Sequence, residues 1–508
     1  MATGPDPAGT RFFCTTGRGL EPFVLREVRA RLGAKQVEYV SGKVFFTTSS
    51  DLNTLKRLKS AERLFLLVKR QHPLPAYPRH KEKTFRELQR LVHDAPELWL
   101  EALSTWERLL AHEAKERTLS PRTTAPQGKR AGDSEALIAK KLRTEHTLEE
   151  PKSLQSGQLG KEREEEAVPG HRGLVSQDPL PGIQGEAATA AGTKDPGSLT
   201  FRVSCRCSGA IAKAFTTQEV SRLVGVALMK QFGWRADLRR PRLEVFLHLS
   251  DVYSVVGIPV LRVPLASRAY IQTAGLRSTV AWAMASLAEI QAGAFVLDPM
   301  CGLGTILLEA AREWPNACYV GADISDAQLV GAGDNLTAAG FWDRVELLKA
   351  SVTELPLLSE SVDVIISDVP FGKKFKLGKD IRSILGEMER VLRVGGTLVL
   401  LLSEAHCQQL VGRKGDLNPP GDTSHEEETV VPGDMGRTDA APPWGSLMPK
   451  EAHWVSLGRT VALLCKYRKS LPSGGTPAST SLLAAEGGIE GPHTHTSLPE
   501  TPADPRPG

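Results

Sequence analysis

Phe295-Val-Leu-Asp-Pro-Met-Cys-Gly-Leu-Gly-Thr305 is a short apolar run that breaks into an acid, a proline and a pair of glycines. Such a run reads as a buried strand, and the glycines turn the chain sharply into a helix. In an open α/β sheet, ligands bind at this strand end. Further on, Val362-Asp-Val-Ile-Ile-Ser367 ends the same way, at Asp368-Val-Pro-Phe-Gly372.

Outward from these stretches, residues 270–468 alternate strand, loop and helix. Strands are expected at 295–298, 318–323, 345–349, 362–367, 397–403, 453–458 and 460–467. Helices are expected near 275–291, 304–313, 326–339, 380–392 and 404–411. This alternation predicts a doubly wound α/β parallel sheet. Only a turn at Gly458 separates the last two strands, which leaves no room for a crossover helix, so they must pair antiparallel. A parallel sheet closed by an antiparallel pair is the class I (Rossmann-like) methyltransferase arrangement rather than the dinucleotide-binding one.

Upstream, Arg11–Thr16, Lys43–Thr47 and Leu64–Lys69 read as strands, and Pro22 to Leu32 as a helix stopped by Gly33. A small α+β unit fits them, followed by one or two amphipathic helices over 85–115. Glu107 to Thr200 holds no Phe, Trp or Tyr, so that segment is expected to stay disordered. Order should resume with a strand at 201–206, a helix capped by Thr217 and stopped at Gly233, and a strand at 243–249.

The overall net charge of +4 conceals an asymmetry. Residues 11–90 carry 18 Lys and Arg against 7 Asp and Glu, and residues 201–270 carry 11 against 4. Two basic regions beside a catalytic-looking module point to nucleic acid. The seven cysteines form no paired C-x-x-C framework, so free thiols in a reducing compartment are expected and no metal site is. No apolar stretch approaches the ~20 residues of a membrane span, so no membrane partner is expected.

The glycine loop can be a simple strand-to-helix turn or a cofactor loop. The third glycine of the dinucleotide fingerprint is absent, with Leu307 in its place, and nothing basic nearby would hold a pyrophosphate. Asp298 instead suits the cationic amino and sulfonium end of S-adenosylmethionine, and Gly302 and Gly304 allow close backbone approach before Thr305. Asp323 ends the second strand, where a carboxylate can accept both ribose hydroxyls or cap the next helix. After the third strand Ser351 stands where an acid often holds adenine, which leaves its hydroxyl, backbone groups or Val352 for that contact. Asp368 can accept one N–H of a flat amine, Pro370 fixes the turn, and Phe371 is either a stacking face or a core residue. Methyl transfer to an exocyclic amine needs such positioning and no strong base.

The order Asp-Pro-x-Cys-Gly-x-Gly-Thr, Gly-Ala-Asp, Asp-x-Pro-Phe-Gly resembles the THUMP-domain RNA guanosine N2-methyltransferases. The likeness covers 201–412 and 451–468, and 11–70 more loosely. It implies a ferredoxin-like N-terminal region over 1–110, an insert over 111–200, a THUMP domain over 201–268, and a methyltransferase domain over 269–468 interrupted at 413–450. A tail over 469–508 would follow. It also implies that Asp368 and Phe371 carry the target guanine, while Asp298, Gly302, Gly304 and Asp323 carry S-adenosylmethionine. The implied partners are a structured RNA (U6 small nuclear RNA, or tRNA) and a small zinc-binding activator subunit in a heterodimer. Val369 stands where the family often has proline. The implied location is the nucleus, with the cytoplasm as the alternative; Lys129-Arg130 and Lys140–Arg143 could form a bipartite signal. Competing readings are an exocyclic-amine methyltransferase acting on adenine or protein glutamine, and a non-catalytic RNA-binding adaptor.

Overall fold

The computed structural model describes residues 9–75, 81–119, 199–273, 275–370, 381–411, 444–458 and 460–471. Most of the expected inserts and tail lie outside them, as do Phe371, Gly372 and the two basic clusters at 129–130 and 140–143. The chain divides into two compact units: residues 1–50, 54–65 and 261–508 form one, and 51–53 with 66–260 the other. The stretch 1–110 is thereby shared between them.

The first unit opens with β1 (Thr10–Thr15), α1 (Glu21–Leu32), β2 (Lys35–Val40) and β3 (Lys43–Thr48). β3 pairs antiparallel with both β1 and β2. As expected, α1 carries Pro22 in its first turn and stops at Gly33, whose φ of +54° lets its N–H return to the Val28 carbonyl. α2 (Leu52–Leu55) and β4 (Arg63–Gln71) cross the boundary between the units.

The second unit holds α3 (Lys81–His93), α4 (Pro96–Leu119), β5 (Thr200–Cys207), α5 (Gly209–Ala214), α6 (Thr217–Phe232), β6 (Arg235–Ala236), β7 (Leu243–Leu249) and β8 (Ser254–Pro259). β7 lies parallel to β5 and antiparallel to β8. The expected N-cap of α6 is off by one. Thr216 holds that place: its hydroxyl accepts the Glu219 N–H at 3.2 Å, and the Glu219 carboxylate accepts the Thr216 N–H at 2.7 Å. This reciprocal capping box leaves Thr217 inside the helix.

The first unit resumes with α7 (Ser278–Leu287), β9 (Phe295–Asp298), α8 (Thr305–Glu313), β10 (Cys318–Asp323), α9 (Asp326–Ala339), β11 (Val345–Lys349), β12 (Val362–Asp368), α10 (Ile381–Val391), β13 (Leu392–Ser403), α11 (Glu404–Val411), β14 (Leu447–Ser456) and β15 (Val461–Lys469). The sheet order is β11-β10-β9-β12-β13-β15-β14. β9 to β13 run parallel, while β15 is antiparallel to β13 and to β14. The fold is the expected class I methyltransferase sheet. β14 starts at Leu447, inside the stretch expected to be an insert. It is the sheet's last strand, so Pro449, which lacks an N–H, is tolerated at a register shift.

Alternation along the central strands shows why they read as unbroken apolar runs. Val296, Val364, Ile366, Val399 and Leu401 enter one core cluster; Leu297, Ile365, Leu398, Leu400 and Leu402 enter another. Both faces of the sheet are therefore covered. Leu20 and Phe23 join the first cluster, and the Arg18 carbonyl accepts the Ser456 N–H at 2.9 Å. The N-terminal residues are thus part of the methyltransferase core.

Candidate active site

Parallel order places the carboxyl ends of β10, β9 and β12 side by side, and each ends in aspartate: Asp323, Asp298 and Asp368. Between β9 and α8 the loop turns tightly, with the Cys301 N–H on the Ala322 carbonyl and the Gly304 N–H on the Cys301 carbonyl, at 2.9 and 2.8 Å. Gly302 and Gly304 hold φ of +51° and +73°, left-handed values that glycine adopts without strain. Gly304 then caps α8, and Thr305 is its first residue.

Asp298 is 1 % exposed. Its Oδ1 accepts the Met300 N–H at 3.2 Å and the Ser367 hydroxyl at 3.0 Å. Burial pushes its pKa up to about 8, with the Asp368 and Asp323 charges adding and the two hydrogen bonds opposing. Asp368 is half-buried, and burial lifts it to about 7. Among the described residues, no lysine or arginine acts on either carboxyl. A carboxyl group raised this far favours a cationic ligand, which would restore its charge. The residues fit the amino and sulfonium end of S-adenosylmethionine on this observation.

Asp323 uses both oxygens locally. One accepts the Gly302 N–H and the other the Ser325 N–H, each at 2.9 Å. It ties the glycine loop to Ser325, the residue at the N-cap position of α9, so Asp323 does not itself hold that position. Beyond β11, the Ser351 hydroxyl lies 2.9 Å from the Thr353 hydroxyl in a local turn, and Val352 packs at the edge of the second core cluster. Val369 is fully buried and its N–H donates to the Leu401 carbonyl at 3.2 Å, which anchors the turn at half-buried Pro370. Asp298, Asp323 and Asp368 thus converge with the glycine loop; Phe371 lies outside the described residues.

Three contributors escaped the sequence reading. Ser367, a polar residue ending a buried strand, orients Asp298. Gly321 lets β10 pass the loop, since a Cβ there would lie 2.7 Å from Leu307 and 3.0 Å from Cys301. Asn335 of α9, fully buried, donates to the Leu303 carbonyl at 3.0 Å. The Ser367 signal was present in the pattern; the other two depend on tertiary contacts.

A family model described as an RMKL-like methyltransferase domain matches residues 266–416. The U6 snRNA (guanine-N(2))-methyltransferase THUMPD2 of Bos taurus is 58 % identical over 484 residues, covering 91 % of this chain and 96 % of that one. Its namesake from Homo sapiens is 57 % identical, covering 93 % and 98 %. Among solved structures, TrmN from Thermus thermophilus aligns with a TM-score of 0.55 at 21 % identity, covering 91 % of this chain and 99 % of that one, and so shares the fold.

Proposed function

The chain belongs to the THUMP-domain guanine-N2-methyltransferases, and on that premise we propose that it methylates N2 of a guanosine in U6 small nuclear RNA, with S-adenosylmethionine as donor. The observation that carries this reading is the row of carboxyls at the ends of β10, β9 and β12 beside the glycine loop. When bound, S-adenosylmethionine supplies a methyl group on a sulfonium, already electrophilic enough to need no further activation. Asp298 would face its cationic end, Gly302, Gly304 and Thr305 would form the cradle, and Asp323, which braces the loop, would also serve the ribose. Ser351 and Val352 would border the adenine.

Asp368 accepts one N–H of the guanine 2-amino group and thereby orients the nitrogen lone pair at the methyl carbon. Accepting a methyl group would leave N2 with one proton to shed. A carboxyl lifted to about 7 by burial can receive it near neutral pH. Pro370 fixes the turn, and Phe371 would supply the stacking face for the base. The substrate carries with it a nuclear location.

A small zinc-binding activator subunit completes the proposal. Its support is the family resemblance, together with the exposed apolar side chains Ile324, Val330 and Trp342 along and flanking α9, each 65 % exposed or more. To test the function, the full chain with that subunit is incubated with labelled S-adenosylmethionine and fractionated nuclear RNA, and the labelled nucleoside is identified. N2-methylguanosine is expected, abolished by Asp368→Ala. Label in N6-methyladenosine, or on protein alone, would sink the reading.

A further inference from the structure

We propose that Asn335 is the positioning residue that sets the glycine loop for its ligand, an assignment that rests on the methyl-donor reading above. The side chain has no exposure, and its carboxamide is fully used. Oδ1 accepts the Gln272 N–H at 2.9 Å and the Thr273 N–H at 3.1 Å. Nδ2 donates to the Thr273 carbonyl at 3.1 Å and the Leu303 carbonyl at 3.0 Å. Two donors and two lone pairs are what an amide possesses, so every one of its bonds is spent on backbone.

Leu303 lies between the two left-handed glycines, so its carbonyl direction is tied to the path of the loop. One helical turn before Asn335, Ala332 lies 3.4 Å from where a Gly304 Cβ would be. On the other side, a Cβ at Gly275 would lie 3.0 Å from Thr305 Oγ1 and 3.4 Å from Leu303 Cβ. The loop is therefore gripped between α9 and the residues Gln272, Thr273 and Gly275, and Asn335 fastens Gln272 and Thr273 to the loop. Only a group that both donates and accepts can do this. An apolar residue would fill the space and bond nothing, and aspartate would oppose the two carbonyls. A loop held this way meets its ligand without reorganising.

The test is calorimetric titration of the full chain with S-adenosylmethionine, together with thermal unfolding and steady-state kinetics. Asn335→Asp is expected to weaken binding tenfold or more and raise the cofactor KM, leaving the KM for RNA unchanged. Leu336→Ala, in the adjacent core position, reports on lost stability alone and should bind within twofold of wild type, even at an equal drop in Tm. Gly275→Ala presses on the same contact without touching Asn335, and should weaken binding at least threefold; it decides the matter if Asn335→Asp does not fold. Wild-type affinity in Asn335→Asp or in Gly275→Ala, or equal weakening in Leu336→Ala, overturns the assignment. If the wild type itself takes up no S-adenosylmethionine, the donor reading falls and takes this one with it.

Discussion

Asp298 is buried where an ionised carboxyl is unwelcome, and its pKa has moved accordingly, up to about 8. In the unfolded chain an aspartate titrates near 3.9, so burial favours the native state fully below that pH. The advantage is lost as pH rises through about 8, because folding then requires either holding a proton or burying a charge. Asp298→Asn removes the linkage. Its Tm relative to wild type should climb steadily from pH 4 to pH 8 in unfolding scans, while its affinity for S-adenosylmethionine falls at least tenfold. A Tm difference that stayed flat over that range would show that the carboxyl is not strained by burial. Under the proposed function, the residue is kept for S-adenosylmethionine at a cost to stability. Sequence made Asp298 legible because an acid ending an apolar strand breaks a pattern. Its hydrogen-bond donor Ser367 broke the same pattern.

At the level of elements, what the sequence disclosed was periodicity. The buried strands β9, β12 and β13 were legible because apolar side chains on both faces leave an unbroken run, and α1 because Pro22 and Gly33 mark its ends. What stayed hidden was decided by partners distant in sequence. Thr216 and Thr217 are chemically alike, and only the reciprocal bonds with Glu219 show which is the cap. β14 begins earlier than its apolar pattern because an end strand tolerates Pro449. Gly321 looks like any strand glycine until Leu307 and Cys301 are placed against it. Gly321→Ala should overpack that contact and cost about 1–3 kcal/mol, measurable by chemical denaturation. Unaltered stability would mean that the neighbours yield freely.

Across the whole molecule, residues 1–50 and 54–65 of the N-terminal part share one unit with the methyltransferase sheet. Leu20 and Phe23 lie in the sheet's own core, Arg31 pairs with Glu313 of α8, and Arg268 joins the Lys59 carbonyl at 2.8 Å to Glu309 at 2.9 Å. A Cβ on Gly19 would collide with the Trp454 carbonyl. That intimacy was not legible in sequence, where the two parts are separated by an insert and a second unit. Residues 269–468 expressed alone should therefore unfold with a broader transition and a lower Tm than the full chain; equal cooperativity would contradict the shared core. The most direct test is nucleoside mass spectrometry of U6 small nuclear RNA from cells lacking the protein, rescued with wild type or with Asp368→Ala. N2-methylguanosine restored by wild type and absent with Asp368→Ala is the predicted result; its restoration by both, or by neither, would contradict the assigned site and reaction.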